Sequence, residues 1–415
     1  MTYRILYVQH YSGLAGSTLS LLYMIQQLDR NKFTPEVLFT ADEGSAVTLY
    51  RERGIPVHVR PDISFYSHAR NGWLPLRSLR PWRPFTWAAK ILPSAQRMRQ
   101  FLAEHHYDLI HINTSAQIPA GIGAKWANIP VVWHIREPLH PGNLGIRRFL
   151  IREIIDKCAQ AVITISEFDA APLKPGPKVH VVYNFVDFLK FNRNLTGLPF
   201  RNELGIPEGQ PLVGMLGGVV HSKGADTFIE ATIEVRKVHP EVLFLVAGIP
   251  PGGESPVAWK RTLRRIIEKV GRLPNLEKRA QDLITLNHVE DSVRFVGMRQ
   301  DVPEMLSALQ VLVWPASISH FARPIIEAGS MARPVIASDF PSSREVVKPE
   351  ETGLLVPPNN PQELAKAIQY LVENPTVAQR MGEAGYRIAC QRYDARQNAA
   401  KIFAIYDEVL ARRSI

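Results

Sequence analysis

The chain has 415 residues, more than one ordinary hydrophobic core, and suits two domains of roughly 150–200 residues each. Apolar residues make up 46% and charged residues 21%, as in a soluble globular enzyme. The only cysteines, Cys158 and Cys390, stand far apart, which excludes a disulfide framework and fits a reducing compartment.

The N-terminus enters an apolar run without a leader layout, and no apolar stretch reaches the ~20 residues of a spanning helix. The expected location is therefore the cytoplasm. Strand and helix signals then alternate. The run Ile5–Gln9 is followed by a turn with Gly13 and Gly16 and a helix over Ser17–Leu28, with Ser17 or Thr18 as its cap. Further strands are expected at 36–40, 57–60, 109–113, 131–135, 161–165 and 180–183. Residues 188–211 are polar and rich in Gly, Pro and Asn, the composition of a linker. The alternation resumes with strands at 213–216, 243–247, 293–296, 311–314 and 334–337. Helices are expected at 225–238, around 257–287, at 302–309 and at 325–331, with more at the C-terminus. Asn360, Pro361 and Glu363 spell a capped helix start with a capping box. This pattern predicts an α/β fold of two Rossmann-like, doubly wound domains. The first spans 1–190 and the second 212–395, joined by a linker at 191–211; a helical C-terminal tail, 396–415, packs back towards the first.

The net charge of +10 is lopsided. Residues 1–200 carry 23 Lys and Arg against 14 Asp and Glu, leaving 26 against 25 for the remainder. Residues 63–103 have no acidic side chain but seven basic ones and Trp73, Trp82 and Trp87. Arg77, Arg80, Trp82, Arg83 and Trp87 fit a surface facing anionic lipid headgroups or an anionic acceptor. A Pro-rich loop with solvated arginines fits equally well. No nucleic-acid-binding signature accompanies the segment, so nucleic acid is not an expected partner.

Several chemistries are disfavoured. The first turn, His10 to Gly16, lacks the dinucleotide fingerprint, and Gly217 to Gly224 only echoes a phosphate loop. There is no zinc-type cluster, and no D-x-D to hold a divalent metal on a sugar diphosphate, so no metal site is expected. The most informative stretch is Val311–Ala328. A strand ends at Pro315, a loop follows, and Pro324 opens a helix whose amides and dipole suit an anion. A diphosphate fits there, with Arg323 as extra charge and Glu327 accepting from ribose hydroxyls.

The chain resembles family 4 of the retaining glycosyltransferases, similar to bacterial group 1 enzymes, over nearly its whole length. In the first domain the matching pieces are Asp108–His111, Pro130–His134, Ile165–Glu167 and Val182–Asp187. In the second they are Val293–Gly297, Asp301–Pro303, Phe321, Pro324, Glu327–Ala328, Pro334–Asp339, Glu345 and Thr352–Pro357. The resemblance implies a GT-B fold with a deep interdomain cleft. It also implies metal-free sugar transfer with retention, of hexosyltransferase type, and no cofactor beyond the UDP- or GDP-linked sugar donor. Under it His134 lies near the transferred sugar, and Lys223 pairs with the diphosphate. Glu327 is the second glutamate of E-x7-E, and Gly16 lets the backbone approach donor and acceptor. His134, Lys223 and Glu327 are the catalytic candidates; Gly16, Gly217, Ser319, Phe321, Ala322, Arg323 and Glu327 are the donor-binding ones.

Three positions depart from the family pattern. Ser319 stands where the first glutamate of E-x7-E belongs, followed by His320 in place of glycine, and Gly218 replaces an expected arginine. The implied acceptor is a saccharide or lipid-linked saccharide, in envelope or exopolysaccharide synthesis, with peripheral contact at the inner membrane face. A nucleotide-sugar epimerase of the same architecture, or a degenerate nucleotide-sugar-binding relative without turnover, is the alternative.

Overall fold

The computed structural model describes residues 2–66, 83–141, 145–248 and 276–412. The chain forms two compact units. The first holds the described residues up to Asp187 and takes up the chain again from Tyr393; Phe188–Arg392 builds the second.

In the first unit seven strands form one sheet: β1 (Tyr3–Gln9), β2 (Phe33–Phe39), β3 (Val57–Val59), β4 (Leu109–Ile112), β5 (Val131–Ile135), β6 (Ala161–Thr164) and β7 (Val179–Val181). Their order is β3-β2-β1-β4-β5-β6-β7, and every pairing is parallel. The second unit has six: β8 (Leu212–Leu216), β9 (Leu243–Ala247), β10 (Val293–Gly297), β11 (Val311–Trp314), β12 (Val335–Ser338) and β13 (Gly353–Val356). Their order, β10-β9-β8-β11-β12-β13, is again all parallel and repeats the doubly wound pattern. Crossover helices cover both faces of such sheets, so central strands such as β8 and β11 are apolar and buried along their length, while β4 and β5 are buried throughout and carry one histidine each.

Three sequence expectations need correction. Ser17 and Thr18 do not cap the first helix, which spans Gly16–Gln26 with Ala15 at the cap position. The Thr18 hydroxyl instead accepts the Ala15 N–H at 2.9 Å, from inside the first turn. Asn360 does cap its helix, accepting the Glu363 N–H at 3.1 Å, but Glu363 turns outward to Lys366 at 2.7 Å, so the capping box is half formed. The segment read as linker carries a helix, Leu198–Glu203, with Phe200 buried. Arg201 there donates to the carbonyls of Pro207, Gln210 and Ala308 at 2.8, 2.9 and 2.7 Å. Those bonds build the stretch into the second unit.

The last helix, Ala395–Ala411, packs on the first sheet. Tyr406 meets Phe33 edge-on at 6.0 Å, Lys32 pairs with Asp407 at 2.6 Å, and the Val186 N–H donates to the Tyr393 carbonyl at 2.8 Å.

Candidate active site

Ligands of open parallel sheets bind beyond the C-terminal strand ends where the strand order reverses. In the second unit that point lies between β8 and β11. Gly217 and Gly218 follow β8 with φ of 124° and 72°, a conformation that glycine adopts without strain. Both N–H groups donate to the Ala247 carbonyl, at 2.8 and 2.9 Å. Gly217 therefore offers the site room rather than an amide: a Cβ there would come 3.0 Å from Lys223 Cγ. Gly224, with φ of 74°, seals the loop against the end of β11, since a Cβ there would lie 1.7 Å from the Pro315 carbonyl oxygen. Ser317 locks the same two loops, donating its hydroxyl to the His221 carbonyl at 2.7 Å.

This framing delivers Lys223. Its ammonium nitrogen lies 4.7 Å from the Trp314 ring centroid and 2.7 Å from His320 Nε2. His320 Nδ1 is 2.9 Å from the Ile318 carbonyl, an acceptor only, so Nδ1 carries the proton and Nε2 accepts from Lys223. Among the described residues no carboxylate pairs with Lys223, and burial lowers its pKa from 10.5 to about 8. A half-buried cation held by a neutral ring and an aromatic face, with no carboxylate beside it among the described residues, is an arrangement that suits an anion.

The loop after β11 leads into the helix Arg323–Ser330, whose N-cap residue, Ala322, brings no side-chain cap. Pro324 has no N–H, and the Ile325 N–H donates to the Ala322 carbonyl at 3.2 Å. The start therefore offers fewer amides than a full first turn. Arg323, read from sequence as extra charge for the anion, grips Glu327 instead: Nε and a terminal nitrogen lie 2.7 and 2.5 Å from the same carboxylate oxygen, with both side chains largely buried. Arg323 thus orients Glu327. The Ser319 hydroxyl meets that of Ser342 at 2.8 Å.

The first unit brings a second polar group together. His134, at the end of β5, is buried, with Nδ1 at 3.2 Å from His111 Nε2 on β4 and 3.4 Å from an Arg136 guanidinium nitrogen. Burial first, then the Arg136 charge, holds both imidazoles well below their ordinary pKa, hence neutral. Arg136 Nε donates to Asn113 at 2.6 Å, and Asn113 donates to Gln9 at 3.2 Å and to the Ser17 carbonyl at 3.3 Å. His134 is thereby wired to the turn that holds Gly16, now the first residue of its helix.

Lys223, Gly217, Ser319, Phe321, Ala322, Arg323 and Glu327 thus share one end of the second sheet, while Gly16 and His134 belong to the first unit. Arg77, Arg80 and Trp82 lie outside the described residues, and Arg83 and Trp87 fall on the helix Arg83–His105. Sequence reasoning assigned no role to Trp314, Arg136, His111 or Tyr406. Arg136, two residues after His134 at the end of a strand, was the one legible signal. Among the described residues no three His, Cys, Asp or Glu side chains group to hold a metal ion.

Two parallel doubly wound sheets, each with polar groups at its switch point, define the GT-B class of glycosyltransferase architecture. The Glycosyltransferase Family 4 sequence model matches residues 15–188 and the Glycosyl transferases group 1 model matches 199–388, and the chain belongs to this family. It is similar to the alpha-D-kanosaminyltransferase of Streptomyces kanamyceticus, 25% identical over 50% of this chain and 48% of that one. It is also similar to the lipopolysaccharide core biosynthesis mannosyltransferases LpsB of Rhizobium meliloti (25%; 65% and 70% covered) and LpcC of Rhizobium leguminosarum bv. viciae (28%; 50% and 53%). The matched stretch spans about half the length of the first and third of these relatives. In three dimensions the chain resembles Anabaena HepE in complex with UDP and glucose, with TM-score 0.76, 22% identity and 98% and 99% of the two chains covered. A Rickettsia africae glycosyltransferase follows at TM-score 0.75 and 18% identity, with 99% of each chain covered.

Proposed function

We propose that the chain transfers a sugar, with retention, from a nucleoside-diphosphate sugar to a saccharide or lipid-linked acceptor. The observation that carries this reading is Lys223: a desolvated ammonium with a neutral histidine and an aromatic ring as partners, at the switch point where a parallel sheet takes its ligand. In the proposal its charge meets the diphosphate and stabilises the leaving nucleotide, with the amides of Phe321 and Ala322 adding donors. Glu327, oriented by Arg323, takes the ribose hydroxyls. His134 stands beside the transferred sugar as a neutral hydrogen-bonding group. The protein's own cation and amides do the work of leaving-group stabilisation, so the transfer is proposed to proceed without a divalent ion.

The relatives named as lipopolysaccharide core mannosyltransferases support a role in envelope or exported polysaccharide synthesis. A peripheral membrane contact belongs to the same proposal. No described helix is long and apolar enough to cross a membrane. The helix Ile146–Cys158 exposes Ile146, Phe149 and Leu150 to 58%, 52% and 53%, with Arg147, Arg148 and Arg152 between and beside them. Apolar tips among cations suit an anionic headgroup layer.

The test is a panel of UDP- and GDP-sugars in EDTA, with saccharide and lipid extracts as acceptors. The proposal expects one donor to be consumed, with nucleotide released and turnover lost in Glu327→Ala. Absence of binding by every nucleotide-sugar would overturn it.

A further inference from the structure

The polar chain behind His134 fixes its own protons. Arg136 has only N–H donors, so the guanidinium nitrogen 3.4 Å from His134 Nδ1 makes that atom an acceptor. His111 Nε2, 3.2 Å from the same Nδ1, must then be the donor. A neutral imidazole protonated at Nε2 accepts at Nδ1, so Tyr406, whose oxygen lies 2.7 Å from His111 Nδ1, donates its hydroxyl proton. One arrangement remains: Tyr406 O–H to His111, His111 Nε2–H to His134, and His134 left with its proton on Nε2. That last N–H is buried and has no partner among the described residues. His134 as a whole is 1% exposed. A buried donor without an acceptor marks a place for a ligand oxygen.

We infer that Tyr406 and His111 are positioning residues that hold His134 in its Nε2–H tautomer, aimed to donate to an oxygen of the bound donor sugar. This rests on the proposed reading of His134 as the group beside that sugar. Tyr406 sits on the helix Ala395–Ala411, which rejoins the first unit after residues 188–392 have built the second. The last helix therefore does more than cover apolar surface. It supplies the hydroxyl that starts the relay, and without that hydroxyl His111 can reverse its protons and leave His134 facing a second acceptor.

The test reads the tautomer directly. In protein labelled with 15N-histidine, nitrogen chemical shifts should show His134 protonated at Nε2 and bare at Nδ1, a measurement that needs no variant. Tyr406→Phe should give a mixed or reversed tautomer, with kcat about tenfold lower and inhibition by UDP unchanged, because Lys223 is untouched. His111→Gln, whose amide nitrogen can replace the Nε2 donor, should keep most of the activity that His111→Leu loses. Wild-type His134 protonated at Nδ1 would overturn the inference. So would an unchanged tautomer and kcat in Tyr406→Phe while His134→Ala lowers turnover, which would leave the proposed function standing. Failure of the wild-type protein to bind UDP or turn over a donor would instead remove the proposed function, with the tautomer measurement still decisive for the relay.

Discussion

Raising the pH from about 7 to about 9 should weaken UDP binding roughly tenfold through Lys223 alone. The ligand-free ammonium titrates at about 8, because burial strips its hydration and no carboxylate compensates among the described residues. A bound diphosphate supplies the missing counter-charge and returns the group towards its ordinary 10.5. The sign follows from which form binds: the anion selects the protonated amine. At about pH 7 nearly every molecule already carries that proton, whereas at about pH 9 roughly one in ten does, and binding must recruit it from solvent. Complete restoration would be worth about 3 kcal/mol, the ceiling on the effect. Calorimetry in EDTA, in two buffers of unlike ionisation heat, measures both the affinity and the proton taken up, which should be about half a proton per UDP near pH 8. Lys223→Arg is the control. It stays charged throughout, so its profile should lack this component while retaining any contribution from the nucleotide itself. A wild-type profile that matches Lys223→Arg, with no proton uptake, would refute the reasoning.

Three further outcomes follow from the geometry. Gly224→Ala would drive a Cβ to 1.7 Å from the Pro315 carbonyl oxygen; its loss of stability in urea unfolding should exceed the ~1–2 kcal/mol of left-handed backbone strain, and a variant as stable as wild type would contradict the packing described. Glu327→Ala should weaken uridine and UDP alike by about tenfold or more, as loss of a charged hydrogen bond does, yet leave pyrophosphate unaffected; an equal loss for pyrophosphate would show that Glu327 acts on the phosphates through Arg323. In co-sedimentation with vesicles of mixed neutral and anionic phospholipid, the wild type should pellet and a triple Ile146→Ser, Phe149→Ser, Leu150→Ser variant should remain in solution. Equal pelleting of the two would remove this helix from the membrane proposal.

Much of the fold was written locally. Alternating apolar runs and amphipathic stretches marked nearly every strand of both sheets, because a parallel sheet buried on both faces needs runs such as Val311–Trp314. Lys223 and Glu327 took their roles from the resemblance to family 4, since a lysine at a helix start or a glutamate one turn into a helix is ordinary on its own. What stayed hidden depended on distance in sequence. His111 and Tyr406 are 295 positions apart, and nothing near either announces that the last helix returns to the first sheet. The Arg323–Glu327 pair shows the opposite failure. Its spacing of four on one helix was visible, but each residue was read for the ligand when the first task of Arg323 is to hold Glu327. His320, noted only as a departure from the family pattern, proved to be the hydrogen-bond partner of Lys223.

A crystal structure with UDP bound in the absence of divalent ions tests the central claim most directly. The diphosphate should lie within hydrogen-bonding distance of Lys223 Nζ and of the Phe321 and Ala322 amides, with the ribose hydroxyls on Glu327. A nucleotide seated elsewhere, or phosphates turned away from Lys223, would contradict the account.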